Sequence, residues 1–120
     1  GAASAVFIDK SPDCISVIKE NLRHTKLDGR ATVILGDVLA VLKKLSINNK
    51  KYDIIFMDPP YNKNLIQDTL KIIEENDIIK DSGIVVVERS IKDDIELNFE
   101  KLKLFRDQRY GDTVLSFLTT

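Results

Sequence analysis

The chain has one cysteine, so it can form no intrachain disulfide and no zinc cluster built from cysteines. His24 is its only histidine, and no set of residues reads as a metal site. No apolar run approaches the ~20 residues that a membrane-spanning helix needs, and no signal peptide is recognisable. A cytoplasmic protein with no membrane attachment is the expectation. Excess charge is also missing: 18 Lys and Arg oppose 19 Asp and Glu, for a net charge of −1. That excludes a strongly basic nucleic-acid binder held mainly by phosphate contacts. An enzyme that reads a nucleic acid through a local patch stays open. The chain also lacks an initiator Met: it opens Gly1-Ala2-Ala3-Ser4 and turns strand-like by Ala5. This abrupt start leads us to expect sequence upstream. What remains is 120 residues, 43% hydrophobic and 31% charged, enough for one globular domain over 1–120.

Hydrophobic patterning divides the chain into alternating elements. Ala5 to Asp9 is an apolar run ending in an acid, which predicts a buried strand. Ser11-Pro12-Asp13 is a helix start, with an N-cap, a proline at the first helical position and an acid in the first turn. Ile15, Ile18 and Leu22, with Cys14 beside them, predict the packing stripe of a helix to about Leu27, ended by Asp28-Gly29. Ala31 to Gly36 is a second strand, and Val38 to about Leu45 a second helix. Tyr52 to Met57 is a third strand, Leu65 to Glu75 an amphipathic helix, and Ile84 to Val87 a fourth strand after an Asp81-Ser82-Gly83 turn. Beyond Ser90 the pattern changes. An acidic irregular stretch, Ile91 to Asn98, precedes two strand-like segments around Tyr110-Gly111-Asp112, which predicts an antiparallel hairpin at a sheet edge. The fold class is therefore α/β: a mostly parallel sheet with a C-terminal antiparallel hairpin.

Three successive strands end in aspartate: Asp9, Asp37 after Gly36, and Asp58. Parallel connections put all three on the edge where open α/β sheets bind ligands. Any one of them reads equally well as a cap of the following helix; three in succession point to a site. Asp9 stands where dinucleotide-type folds place an acid for ribose hydroxyls. Asp37 ends the next strand, within reach of the base of the same ligand. Asp58-Pro59-Pro60-Tyr61 is the sharpest signal. The prolines stiffen the backbone and remove its N–H groups while leaving carbonyls to accept. A carboxylate and a rigid carbonyl together can accept both hydrogens of a planar amino group. That frees its lone pair and aims it at an electrophile, as amine methylation requires. Tyr61 can stack on an extruded base.

On these residues the chain resembles class I S-adenosylmethionine-dependent methyltransferases, with their Rossmann-like sheet. Within them it is most similar to the family that methylates N2 of a guanine in bacterial 16S ribosomal RNA. The similarity runs through ASAVFIDKSPDCISVIKENL, the Gly36-Asp37 step, FMDPPY, the VVVE strand and RYGDTVLSF. It implies that Asp9 holds the cofactor ribose with Lys10 beside it, that Asp37 holds the adenine amine, and that Val38 contacts the adenine. Asp58, Pro59, Pro60 and Tyr61 would hold the target amine and base, and the RNA partner would be met during small-subunit assembly. The family's opening central strand and glycine-rich loop have no counterpart in these residues. The resemblance therefore implies weak cofactor binding by the 120 residues alone, and exposed strand edges that favour self-association.

Two other readings remain at this level. One is an adenine-N6 methyltransferase of DNA, whose target is also a planar exocyclic amine. The other is a non-catalytic, degenerate Rossmann-like binding domain. His24 reads as a solvated helix-end residue. Lys43, Lys44, Lys50 and Lys51 read as solvated surface, and Arg106 and Arg109 as surface near the site edge. Glu88 ends a strand on the same edge as the three aspartates; it reads as a substrate contact or, at least equally well, as strand-end solvation or an ion pair with Arg89.

Overall fold

The first two strands are short because each has only five residues to bury before a polar turn. In the computed structural model, which describes residues 2–59, 63–93 and 99–120, β1 (Ala5–Asp9) and β2 (Ala31–Leu35) pair in parallel from Ala5↔Ala31 to Asp9↔Leu35. The crossover between them is α1 (Pro12–His24), which packs on both strands. Ser11 caps it by accepting the Cys14 N–H at 3.3 Å, with Pro12 and Asp13 in the first turn. Ile15 is its buried residue and Ile18 and Leu22 are half-buried. Cys14 is exposed, so the packing role expected for it is not realised.

The end of α1 also departs from expectation. The helix stops at His24, and the left-handed residue that closes it is Lys26 at φ 61°, not Gly29. The Lys26 N–H reaches the Arg23 carbonyl at 3.1 Å and the Leu27 N–H reaches the Leu22 carbonyl at 2.9 Å. That double bond pattern satisfies the last carbonyls, and it stabilises a conformation that a lysine otherwise disfavours. Gly29 lies one turn later, in a 3-10 turn over Asp28–Arg30.

Two compact units divide the chain at Val41 and Leu42, within α2 (Val38–Ile47). The second contains β3 (Tyr52–Met57), α3 (Lys63–Glu75), β4 (Ile79–Ser90), β5 (Lys103–Tyr110) and β6 (Thr113–Thr119). Its four strands run in the order β3-β4-β6-β5, with β3 and β4 parallel and the other pairs antiparallel. The hairpin thus closes the sheet edge as the sequence predicts, turning at Gly111 with φ 60°, a value glycine adopts without steric cost.

The core of this unit comes from one stripe of α3 and the inward face of the sheet. Ile66, Leu70 and Ile73 recur at helical spacing and are buried together with Val85, Val87, Leu102 and Leu118. β4 is longer than its apolar run: it begins at Ile79 and passes through the segment expected to turn. Ser82 at φ 62° forms an irregularity inside the strand, beside the register shift between Tyr52 and Ile54. Gly83 is required there, because a Cβ would stand 2.7 Å from the Ile79 side chain and 2.8 Å from the Lys80 carbonyl.

One polar network runs across the three antiparallel strands. The Arg89 Nε donates to Ser116 Oγ at 2.9 Å, and Ser116 donates to Asp107 at 2.6 Å. Arg89 also faces Asp107 at 3.7 Å and donates to the Asp93 carbonyl at 3.3 Å. Ser116 is fully buried and has both of its hydrogen-bonding directions satisfied.

Glu74 docks α3 onto the start of β5: its carboxylate accepts from Lys101 N at 2.8 Å and Leu102 N at 2.9 Å. Partial burial pushes its pKa up, but the N–H groups of Leu102, Lys101 and Glu100 outweigh this and hold it below the ordinary value of 4.5. A lowered folded-state pKa stabilises the fold above the unfolded value and loses that contribution as pH falls through the folded one. Glu74→Gln is expected to cost about 1–2 kcal/mol in urea unfolding at pH 7, and clearly less at pH 3. An equal cost at both pH values would show that the charge plays no part. The outer strand β3 carries Ile54 and Phe56 at 67% and 60% exposure. Sedimentation of the 120-residue chain is expected to show self-association that Phe56→Lys reduces; a monodisperse wild-type monomer would contradict this.

Candidate active site

Parallel pairing of β1 and β2 brings their carboxyl ends to one edge. Asp9 is the last residue of β1, and Gly36-Asp37 follows β2 directly. The Gly36 N–H bonds the Asp9 carbonyl at 3.0 Å, which joins the two strand ends. Gly36 also lets α2 start close by: a Cβ there would be 3.0 Å from a Val41 methyl.

Both acids spend one oxygen locally. Asp9 Oδ1 accepts the Ser11 N–H at 2.8 Å, closing the loop into α1. Asp37 Oδ2 accepts the Ala40 N–H at 3.1 Å, so Asp37 does act as the cap of α2. Among the described residues nothing donates to the second oxygen of either. Two free carboxylate oxygens on one strand edge suit a ligand rich in donors, such as the hydroxyls and amine of a nucleoside. Lys10 is exposed beside Asp9, and Val38 is half-buried as the first residue of α2.

The second unit repeats the arrangement. Asp58 follows β3, and Met57 pairs with Val87, so Asp58 emerges beside Glu88 of β4. Asp58 stands close enough to Glu88 to act on its titration. The hydrogen bond to Asp58, then its negative charge, push the Glu88 pKa above its ordinary value. Of the readings the sequence left open for Glu88, the ion pair with Arg89 is not formed. Arg89 alternates to the opposite face and is committed to Ser116 and Asp107. The signal was present in the sequence: Val87-Glu88 repeats the Met57-Asp58 pattern of an apolar strand ending in an acid. Pro59 follows Asp58 and is half-buried; Pro60 and Tyr61 lie outside the described residues. The structure therefore places Asp9 with Asp37 in the first unit and Asp58 with Glu88 in the second.

The remaining candidates are surface groups. His24 is exposed in the last turn of α1. Lys51 pairs with Asp77 at 2.6 Å. Arg106 lies 5.8 Å from the centre of the Phe117 ring, and Arg109 donates to the Gly111 carbonyl at 2.7 Å. Among the described residues no group of three or more His, Cys, Asp or Glu is arranged to hold a metal ion, and no helix is long and apolar enough to cross a membrane.

Known proteins share this architecture. The ribosomal RNA small subunit methyltransferase D of Buchnera aphidicola is 30% identical over 94 residues, covering 78% of this chain and 48% of that protein. The Escherichia coli K12 protein of the same name is 24% identical over 110 residues, covering 92% of this chain and 54% of its own length. The chain thus spans about half the length of these curated relatives. The solved structure of a conserved hypothetical protein from Streptococcus pyogenes matches with a TM-score of 0.89 at 21% identity, covering 100% of this chain and 74% of that one. At that identity the likeness establishes the fold, a Rossmann-like α/β arrangement of mostly parallel strands with a closing hairpin. A family model described as "Conserved hypothetical protein 95" matches residues 1–119, and the chain belongs to that family.

Proposed function

We propose that the protein transfers a methyl group from S-adenosylmethionine to the exocyclic N2 amine of a guanine in small-subunit (16S) ribosomal RNA, acting during subunit assembly in the cytoplasm. The observation that carries this reading is the position of Asp58-Pro59, at the carboxyl end of a strand in a parallel pair and beside a second acid. The names borne by the two curated relatives support ribosomal RNA as the substrate class.

S-adenosylmethionine, when bound, supplies an electrophilic methyl group, and no metal is needed. Asp9 accepts from its ribose hydroxyls, with Lys10 alongside. Asp37 accepts from the adenine amine, and Val38 lines the adenine. The free oxygens of the two acids are the groups available for these roles. On the acceptor side, the Asp58 carboxylate and the Pro59 carbonyl take the two hydrogens of the guanine amine. This holds the nitrogen lone pair out of conjugation and points it along the line of attack. Pro60 keeps the carbonyl rigid, and Tyr61 stacks on the base. The protein's contribution is orientation and electrostatics, with no covalent intermediate.

In the full-length protein, Asp58→Ala is expected to lower methylation of ribosomal RNA by at least about a hundredfold while cofactor affinity stays within about twofold. Surviving activity would remove the amine-orienting role. Isothermal titration of the 120 residues alone with S-adenosylmethionine is expected to show little binding, because their five glycines are scattered along the sequence and make no glycine-rich stretch. Micromolar affinity would overturn that expectation.

A further inference from the structure

Asp58 and Glu88 form a pair of acceptors with no ion-pair partner among the described residues. The register Met57↔Val87 fixes them side by side at the carboxyl ends of neighbouring parallel strands. The adjacent cation, Arg89, is on the other face and held by Ser116, Asp107 and the Asp93 carbonyl. Among the described residues Glu88 has no ion-pair partner. Two neighbouring carboxylates favour a donor between them, and the raised pKa of Glu88 reflects the closeness of Asp58.

The bases differ in what they can bring to such a pair. Adenine and cytosine present an amine next to a ring nitrogen that is an acceptor. Uracil presents a ring N–H without an amine. Guanine alone presents a ring N–H and an amine side by side, two donor groups on one edge. An acceptor–acceptor pair matches that edge and repels the ring lone pair of adenine.

We propose that Glu88 reads the base, accepting the ring N1–H of the target guanine while Asp58 and the Pro59 carbonyl hold its amine. This rests on the methyl-transfer reading given above and adds the group that separates guanine from adenine.

The test uses the full-length protein and RNA carrying either guanine or 2-aminopurine at the target position. 2-Aminopurine keeps the amine but has a lone pair at N1. Mass mapping of the wild-type product comes first. If the product is not N2-methylguanosine, the function reading fails, and this inference with it, before any variant is made. With N2-methylguanosine confirmed, wild type is expected to prefer guanine over 2-aminopurine in kcat/KM by about ten- to a hundredfold. Glu88→Gln offers an amide N–H to the 2-aminopurine lone pair and is expected to narrow that preference by about tenfold. Glu88→Asp keeps a carboxylate and is expected to retain the preference at a reduced rate. RNA affinity without cofactor, read from 2-aminopurine fluorescence, is expected to shift in the same direction. Unchanged rates, or equal losses on both substrates in both variants, would overturn the proposal and leave Glu88 a structural residue.

Discussion

Two parallel strands cannot be joined by a tight turn; the chain must cross over, and the crossover returns it to the same end of the sheet. In this protein that constraint decides where the acids go. α1 carries the chain from β1 back to the start of β2, so Asp9 and Asp37 emerge together. α3 does the same between β3 and β4, so Asp58 and Glu88 emerge together. Had either pair been antiparallel, its acids would stand at opposite ends. The hydrophobic stripes that make α1 and α3 pack on their strands are therefore also what assemble the carboxylates. Core and site are two consequences of one connectivity.

The antiparallel half of the second unit has a different task. β6 runs between β4 and β5, and its buried Ser116 stands where Arg89 and Asp107 converge. A buried polar group costs stability unless every direction is satisfied, and here the serine both donates and accepts. A one-residue slip of β6 would move Ser116 to the opposite face and strand both charged groups, so the network fixes register. It also keeps the guanidinium away from Glu88. Side-chain alternation along β4 thus separates two functions one residue apart, with Glu88 left to the strand end and Arg89 taken into the sheet.

Most of the fold was legible in the sequence because its signals are local. Ser11-Pro12-Asp13 marked the start of α1, the apolar runs marked the strands, and Gly111 marked the hairpin. What was not legible depends on partners distant in sequence. β4 extends back to Ile79 because β3 offers Tyr52 as a partner and Gly83 permits the close approach, neither of which shows in its own propensity. α1 ends at Lys26 because two backbone bonds hold a left-handed lysine, where composition pointed to Gly29. At the site, the aspartates stood out because each interrupts an apolar run. Glu88 was legible as a strand-end acid on the same edge, but not as the neighbour of Asp58, because that depends on the register of β3 against β4.

Placing Glu88 against Asp58 works against the fold. A raised folded-state pKa means that the folded protein holds the Glu88 proton more tightly than the unfolded chain does. Stability from this group is then present at low pH and is lost as pH rises through the raised value. Other acids among the described residues face groups of opposite polarity. Asp77 has Lys51, Asp107 has Arg89, and Glu74 has backbone N–H groups. Leaving one like-charge pair at the end of two parallel strands makes sense where an incoming group relieves it. A donor-rich base edge does so directly: each hydrogen bond it brings replaces repulsion already present in the free protein. Binding is thereby coupled to the donor pattern of the ligand rather than to its size.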